Sequence, residues 1–479
     1  MRLLHLLWAL VERFGTNAVS FVGNITLCYL LSPDDFGLLA MLGVFTALVF
    51  TLVDCGMGDA LLMYKAPSRR DFNTVFFFNV AVGVALAALY VALAPLVARF
   101  FGHAELAPVM RVLAGGAILT ALTITPITRL RSLLRFGHVA IVNVVAIVVA
   151  VTAAIVAALS GARYWALVVL QVAFPGAQLL LLVFLSRWEL RWEFDVARFK
   201  QLWRFSANLL ASYLVSQVSQ NIFSLILGKF YNASQAGYFG QAQKLQSTPT
   251  SSLEGAISVT AYVSIAKCTE PDRRRALVLR VFGMMTFVNT LLCVALIALS
   301  KPLIACLLPH SWQPVTPFLV MLVAWGLVAP VCNHLSIIFK LYDHTSTIRN
   351  VLLIEKTAIV LAAFALYPWG VPAMIGAAAA ISVVSYLLYT HAASRIMEVN
   401  AKRFHVLYST HLAMGAIVGA LTWLATLPWA SPWVSLAVGL IVFVCLSLVV
   451  CRLLRPDYYS TLARRLSHLV HSHDETPCE

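Results

Sequence analysis

Charge is scarce in this chain: Asp, Glu, Lys and Arg together make up 11% of its 479 residues, while 61% are hydrophobic. A soluble domain carries about 25% charged and roughly 45–50% apolar residues, so this composition could not clothe a water-facing surface. Soluble enzymes and nucleic-acid-binding modules are excluded on that ground. Paired cysteines are missing too. The nine cysteines fall singly, no Cys-x-x-Cys occurs, and neither a disulfide framework nor a zinc site is supported. The chain contains no Gly-rich phosphate loop ending in Lys, no Gly-x-Ser-x-Gly elbow and no His-Glu-x-x-His run. Nucleotide coupling and the common hydrolytic chemistries therefore have no foothold, and no cofactor is expected. His468, His471, His473 and Cys478 crowd the C-terminal tail, but their spacing matches no standard ligand set.

Long apolar runs are abundant. Stretches such as 76–96, 141–159 and 434–454 each approach the ~20 residues that cross a bilayer as a helix. The pattern predicts an all-α polytopic membrane protein with about fourteen spans, at 6–31, 37–62, 74–99, 109–130, 139–160, 164–186, 205–228, 237–265, 278–299, 315–339, 348–367, 372–393, 408–427 and 433–453. Glu12 and Arg13 interrupt the first apolar stretch, so it reads as an uncleaved span rather than a signal-peptide core. Spans 3, 5, 9 and 14 are nearly pure hydrocarbon and are expected to face lipid.

The net charge of +14 is best read by position. With alternating spans, 26 of the 34 Lys and Arg residues fall on the side of the N-terminus. Only Arg99, Arg163, Lys229 and Lys301 fall in segments on the other side. The positive-inside rule then predicts that both termini are cytoplasmic. The largest internal loop, 187–204, interleaves Trp188, Trp192, Phe199 and Trp203 with five basic residues, a mixture suited to the headgroups of membrane lipids.

A repeat is legible. Residues 29–38 and 229–238 both place a polar turn before Gly and an apolar residue, at an offset of 200 residues or six helices. The same offset carries Asp54 onto Glu254, each a lone acid beside a Gly. Six helices per unit give two repeats in the same orientation. The predicted organisation is an N-terminal six-helix lobe at 1–186, a basic interfacial loop at 187–204 and a second six-helix lobe at 205–394. Helices 13 and 14 follow at 395–453, then a tail at 454–479.

Polar residues recur at helical spacing on the first helices of each repeat. The first span carries Arg13, Asn17, Ser20 and Asn24; the seventh carries Asn208, Ser212, Ser216 and Gln220; the eighth carries Gln241, Lys244, Thr248, Ser251, Glu254 and Ser258. An ionisable group in a bilayer normally lines a cavity or finds a partner, because facing lipid is costly. The expectation is a hydrated cavity in which Arg13, Asn17, Asn24, Gln220, Gln241 and Lys244 bind substrate. Asp54 and Glu254 would couple transport to an ion, and neighbouring Glu355 and Lys356 form a structural pair.

Two stretches carry a family resemblance. Residues 31–65, LSPDDFGLLAMLGVFTALVFTLVDCGMGDALLMYK, resemble the first-loop and second-helix signature of bacterial polysaccharide flippases. Residues 237–267, GYFGQAQKLQSTPTSSLEGAISVTAYVSIAK, are similar to the eighth helix of that group and of the lipid II flippases. The resemblance implies the polysaccharide transport branch of the multidrug/oligosaccharidyl-lipid/polysaccharide exporter superfamily, resembling the colanic acid exporter. It further implies an inner-membrane flippase, not an enzyme, that moves undecaprenyl-diphosphate-linked glycan by alternating access, with polysaccharide polymerase machinery as a further partner. In the lipid II relatives basic residues on helices 1, 2 and 8 face the cavity; Arg13 and Lys244 match that placement, whereas helix 2 here offers only acids. An ion-coupled multidrug antiporter of the same fold is the alternative, but Arg13 and Lys244 would repel cationic drugs. A membrane glycosyltransferase or polymerase using Asp34 and Asp35 is the alternative of a different class. The external loops are short for an acceptor site, and those two acids suit a helix cap.

Overall fold

The computed structural model describes residues 2–63, 67–185, 191–266, 270–342 and 345–454. Every regular element among them is helical. In chain order they are α1 Arg2–Leu30, α2 Pro33–Met41, α3 Gly43–Asp54, α4 Met57–Met63, α5 Arg69–Phe101, α6 Leu106–Ser132, α7 Phe136–Leu159, α8 Trp165–Leu185 and α9 Val196–Phe230. They continue with α10 Ala233–Ala266, α11 Pro271–Ala298, α12 Ser300–Leu307, α13 Val315–Gly326, α14 Ala329–Leu341, α15 Thr345–Leu366, α16 Val371–Met397, α17 Ala401–Thr426 and α18 Pro432–Leu454.

Among the described residues, eleven helical stretches are long and apolar enough to cross a membrane. The fourteen expected spans include three further rods, α1, α9 and α10, of 29, 35 and 34 residues. These three fall outside the apolar set. They are the helices that carry the polar stripes, so the residues that make them candidates for function also lower their hydropathy.

Local chemistry sets several helix starts. Ser32 caps α2: its hydroxyl accepts from the Asp35 N–H, and the Asp35 carboxylate accepts from the Ser32 N–H in return. Pro33 takes the first helical position, where its missing N–H costs nothing. The sequence places this cap on Asp34 and Asp35; in the structure Ser32 holds it and Asp35 closes the box. Ser68 and Asp71 start α5 in the same way. α9 begins at Val196, inside the segment read as an interfacial loop, with Asp195 accepting from the Ala197 and Arg198 N–H groups. This segment packs on the start of α5 through Arg198 and Asp71 at 3.2 Å, Phe199 and Phe78 at 4.7 Å, and Trp192 and Phe77 at 4.5 Å. Trp188 lies outside the described residues, as does the tail with His468, His471, His473 and Cys478.

The chain packs as two compact units. The first comprises Met1–Thr248, Leu308–Phe318 and Arg349–Ile381; the second comprises Pro249–Leu307, Leu319–Ile348 and Ser382–Glu479. Division by repeat and division by packing thus follow different lines, since α9 and the first half of α10 belong with α1–α8. In the first unit α5 packs on α6, and α7 on both α8 and α1. In the second, α11 packs on α17, and α17 on α18. This corrects one expectation about lipid exposure. α11 is the ninth span, yet 56% of its most apolar window is buried, against 17% for α18. α18, the fourteenth span, does show the bare apolar surface expected of a lipid-facing helix, with Ile441 64% exposed.

Two spans are broken. The second divides at Cys55 and Gly56, both left-handed with φ of 50° and 66°. The tenth divides between α13 and α14 at Leu327 and Val328, with Pro330 in the first turn of α14.

Candidate functional site

The turns at the start of α2 and α10 meet reciprocally. A methyl group on Gly37 would lie 1.8 Å from the carbonyl oxygen of Ala233, and one on Gly237 would lie 2.2 Å from that of Pro33. Only glycine permits either approach. Residues 33 and 233, and 37 and 237, are 200 apart, the offset expected of a repeat, and the two contacts are reciprocal. Ser234 donates to Asp34 at the same meeting point. Trp312, fully buried, donates its indole N–H to the Cys28 carbonyl at 2.9 Å and meets Phe36 edge-on at 5.0 Å.

Beneath this clasp α1 and α10 exchange polar contacts. Asn24 Nδ2 donates to Gln241 Oε1 at 3.0 Å, and Lys244 Nζ donates to Asn24 Oδ1 at 3.0 Å. The Lys244 ammonium also stands 5.7 Å from the centre of the Phe36 ring. Gln241 is 1% exposed and its Nε2 has no partner among the described residues, whereas Lys244 is exposed. Gln243, one residue before Lys244, donates to the Gln220 carbonyl at 3.0 Å, which brings α9 alongside. Asn24, Gln241 and Lys244 therefore gather as one polar group, while Gln220 is reached only at its main-chain carbonyl, through Gln243.

Arg13 and Asn17 lie elsewhere on the same helix. At 1.5 Å of rise per residue, Arg13 sits about 16 Å from Asn24 along α1 and Asn17 about 10 Å. Arg13 is exposed. Arg13 and the Lys244 group thus stand at different levels of α1.

Asp54 is also separate. It ends α3, eighteen residues beyond Phe36, or roughly 27 Å of helix rise. Its carboxylate accepts from the Gly58 N–H at the start of α4, and Asp59 and Arg131 lie within electrostatic reach. Tyr213 donates to Asp59 at 3.4 Å, and Ser206 to the Gly56 carbonyl at 3.2 Å. The charge that accompanies Asp54 is thus Arg131 rather than Arg13 or Lys244. Glu254 lies on α10, but its side chain is outside the described residues.

One group escaped the sequence reading. Glu12 has partners on two other helices: Arg131 Nη2 donates to it at 3.1 Å and Asn143 Nδ2 at 2.6 Å. Gln178 donates to Asn143 Oδ1 at 2.8 Å. Asn143 is the one amide of α7, and Gln178 shares the apolar α8 only with Gln171; such amides were the available signal, since a buried amide requires a partner. Glu355 and Lys356 do form the expected pair, at 2.9 Å.

In the second unit a cavity of about 520 Å³ is lined by Val294, Ile297, Val320, Leu412, Ala416 and Trp423 among others, with no charged side chain. It cannot hold a charged headgroup. Among the described residues no group of three or more His, Cys, Asp or Glu is placed to hold a metal ion.

Comparison with known proteins supplies the family. Residues 26–317 match the family described as polysaccharide biosynthesis protein. The chain is 24% identical over 285 residues to the teichuronic acid biosynthesis protein TuaB of Bacillus subtilis (strain 168), covering 59% of each chain. It is 22% identical over 337 residues to the lipopolysaccharide biosynthesis protein WzxC of Escherichia coli (strain K12), covering 68% of this chain and 67% of that one. To the succinoglycan biosynthesis transport protein ExoT of Rhizobium meliloti (strain 1021) it is 23% identical over 336 residues, covering 67% and 66%. The chain thus spans less than two thirds of the length of TuaB and ExoT. The fold is similar to that of the lipid II flippase MurJ in an inward closed conformation, with a TM-score of 0.74 at 13% identity over 93% of this chain and 99% of that one. An inward-facing multidrug resistance transporter of the MATE family is similar with a TM-score of 0.58 at 14% identity, over 82% and 96%. This multi-pass membrane protein belongs to the polysaccharide biosynthesis protein family, and its fold is that of the lipid II flippase and the MATE transporter.

Proposed function

We propose that this transporter flips an undecaprenyl-diphosphate-linked oligosaccharide across the bacterial inner membrane for exopolysaccharide, capsule or O-antigen synthesis. The observation that carries the reading is Lys244, an exposed cation fixed by Asn24 beside Gln241, on two of the most polar long helices. Charge-assisted hydrogen bonds from Lys to phosphate are among the strongest contacts open to a partly dehydrated site. Amide donors nearby suit glycan hydroxyls. The polyprenyl chain stays in lipid.

The proposal includes fourteen crossings, with α1, α9 and α10 added to the apolar set, and two six-helix lobes in parallel repeat followed by α17 and α18. The basic loops face the cytoplasm with both termini, and the turns at Gly37 and Gly237 face the periplasm. Transport proceeds by alternating access, the diphosphate meeting Arg13 and Asn17 at a different stage from Lys244. Asp54, with Glu254, is the ion-coupling candidate. Membrane lipids surround the spans and polysaccharide polymerase machinery takes the product. The multidrug reading gains nothing from an exposed lysine at the site, which repels cationic drugs.

Reconstituted flipping of a defined lipid-linked glycan tests the reading. Lys244→Gln should reduce the rate by at least about tenfold at equal protein abundance, and Lys244→Arg should retain a measurable part, since it keeps the charge. An undiminished rate in Lys244→Gln would remove the diphosphate role. Orientation has its own check, since thiol labelling of a Cys-free variant should reach Ser32→Cys from outside and Arg274→Cys only from inside.

A further inference from the structure

Four helices of the first unit meet at Glu12. Its Oε1 accepts from Arg131 of α6 at 3.1 Å and from Asn143 of α7 at 2.6 Å, and Asn143 accepts in turn from Gln178 of α8 at 2.8 Å. The last bond fixes the geometry. With its oxygen occupied by Gln178, Asn143 must present its NH₂ to Glu12. Asn143 and Gln178 are 9% and 7% exposed, so this neutral relay is part of the packed interior. It would hold the Glu12 carboxylate in place whether or not Arg131 stayed.

Arg131 is differently situated. Its side chain is 43% exposed, against 18% for Glu12. An ion pair open to water on one side contributes little net stability. A diphosphate, with several acceptor oxygens and more than one charge, competes well for a guanidinium, which binds phosphate in a bidentate fork. The surroundings carry both signs, for the Asp54 carboxylate also lies within electrostatic reach of Arg131. Arg129 lies within electrostatic reach of Arg69 and Arg135, and Arg13 adjoins Glu12 in the chain. By sequence Arg69, Arg129, Arg131 and Arg135 served only as markers of topology.

Resting on the flippase reading above, we propose that Arg131 is the anchor of a second, outer anion station. Glu12 is its resting counter-ion, displaced when the diphosphate of the lipid-linked substrate arrives. The exchange is one of ion partners, with no bond made or broken. Its structural consequence is specific: arrival of substrate unties α1 from α6, while the Asn143–Gln178 relay keeps α1 tied to α7 and α8. Glu12 lies about 18 Å along α1 from Asn24, so the outer station precedes the Lys244 site and does not share a ligand with it.

The test is calorimetric titration of farnesyl diphosphate, as a short prenyl diphosphate, into the purified full-length chain in detergent. Arg131→Gln should weaken binding about tenfold or more, and Glu12→Gln should tighten it several-fold. The opposite signs are the signature. Gln at 12 still accepts from Asn143 but no longer competes for Arg131, whereas a merely structural pair would lose affinity and thermal stability in both variants. Weaker or unchanged binding by Glu12→Gln overturns the proposal, and this variant decides alone should Arg131→Gln fail to fold. Lys244→Gln separates the two readings. If it weakens binding and Arg131→Gln does not, the outer station is wrong and the flippase reading stands. If wild type does not bind the probe, or no variant alters binding, the diphosphate reading fails together with the station. Inorganic pyrophosphate titrated in parallel should bind more weakly, and equal affinity would assign the station to free pyrophosphate and overturn its role for a lipid-linked substrate.

Discussion

The two broken spans resolve the same problem in opposite ways. A break in a membrane helix frees backbone groups that lipid cannot satisfy, so other parts of the protein must do so. At the α13–α14 break the remedy is neutral: Asn289 Nδ2 donates to the Gly326 and Leu327 carbonyls at 3.1 and 3.4 Å, and the Tyr408 hydroxyl donates to Leu327 at 2.8 Å. Both side chains are buried, at 5% and 6% exposure. At the α3–α4 break the local groups include carboxylates. Asp54 accepts from Gly58, Asp59 accepts from Tyr213, and Arg131 is the nearby cation. A break sealed with neutral donors maintains a fold. A break that keeps acids costs more than repair requires, and that excess is the ground for proposing Asp54, rather than Tyr408 or Asn289, as a coupling residue.

The largest expected effect falls on transport at the acidic break. Asp54→Asn keeps an oxygen to accept from Gly58 but loses the charge. Flipping driven by a proton or sodium gradient should fall about tenfold or more, the loss expected when a charged group made for function is neutralised, while the thermal midpoint stays near wild type. Transport that remains gradient-dependent in this variant would erase the contrast. Next comes the neutral break, where stability is the readout. Asn289→Ala leaves two carbonyls short of a buried donor and should cost about 1–3 kcal/mol, with Tyr408→Phe nearer 1 kcal/mol. Thermal unfolding in detergent measures both, and transport per folded molecule should be unchanged. The smallest effect is expected of Ser206→Ala. The Gly56 carbonyl also accepts from the Ala60 N–H at 3.1 Å, so losing the serine should cost only about 0.5–1 kcal/mol. A drop as large as that of Asn289→Ala would show that the acidic break depends on neutral donors after all.

Much of the fold was legible because bilayer physics acts locally. A run of ~20 apolar residues is a span wherever it occurs. The helices bear this out for α5–α8 and α15–α18, whose bounds fall within several residues of those expected. The broken spans were less legible. Cys55–Gly56 offered Gly56 and Gly58 near Asp54, and Leu327–Val328 offered Gly326 and Pro330, signals that a membrane helix can also carry unbroken. The candidate site divides in the same manner. Asn24, Gln241 and Lys244 were named from their stripes and do meet. Arg13, Asn17 and Asp54 were named with them and lie at other levels of the same bundle. Glu12, Asn143, Gln178 and Arg131 were not named together at all.

Composition, the apolar runs, the polar rods α1, α9 and α10 and the asymmetry of basic residues were determined by sequence alone, as was the 200-residue offset between the two Gly turns. Each is a property of one segment or of two segments compared, and hydropathy, charge and periodicity are additive along a chain. Tertiary structure alone decided which polar groups share a site. Partner choice depends on the register and rotation of one helix against another, and close packing at points such as Gly37 and Gly237 sets both. An error of one residue in register rotates a helix by about 100° and turns Lys244 from Asn24 toward a different neighbour. No stripe read along a single helix contains that angle.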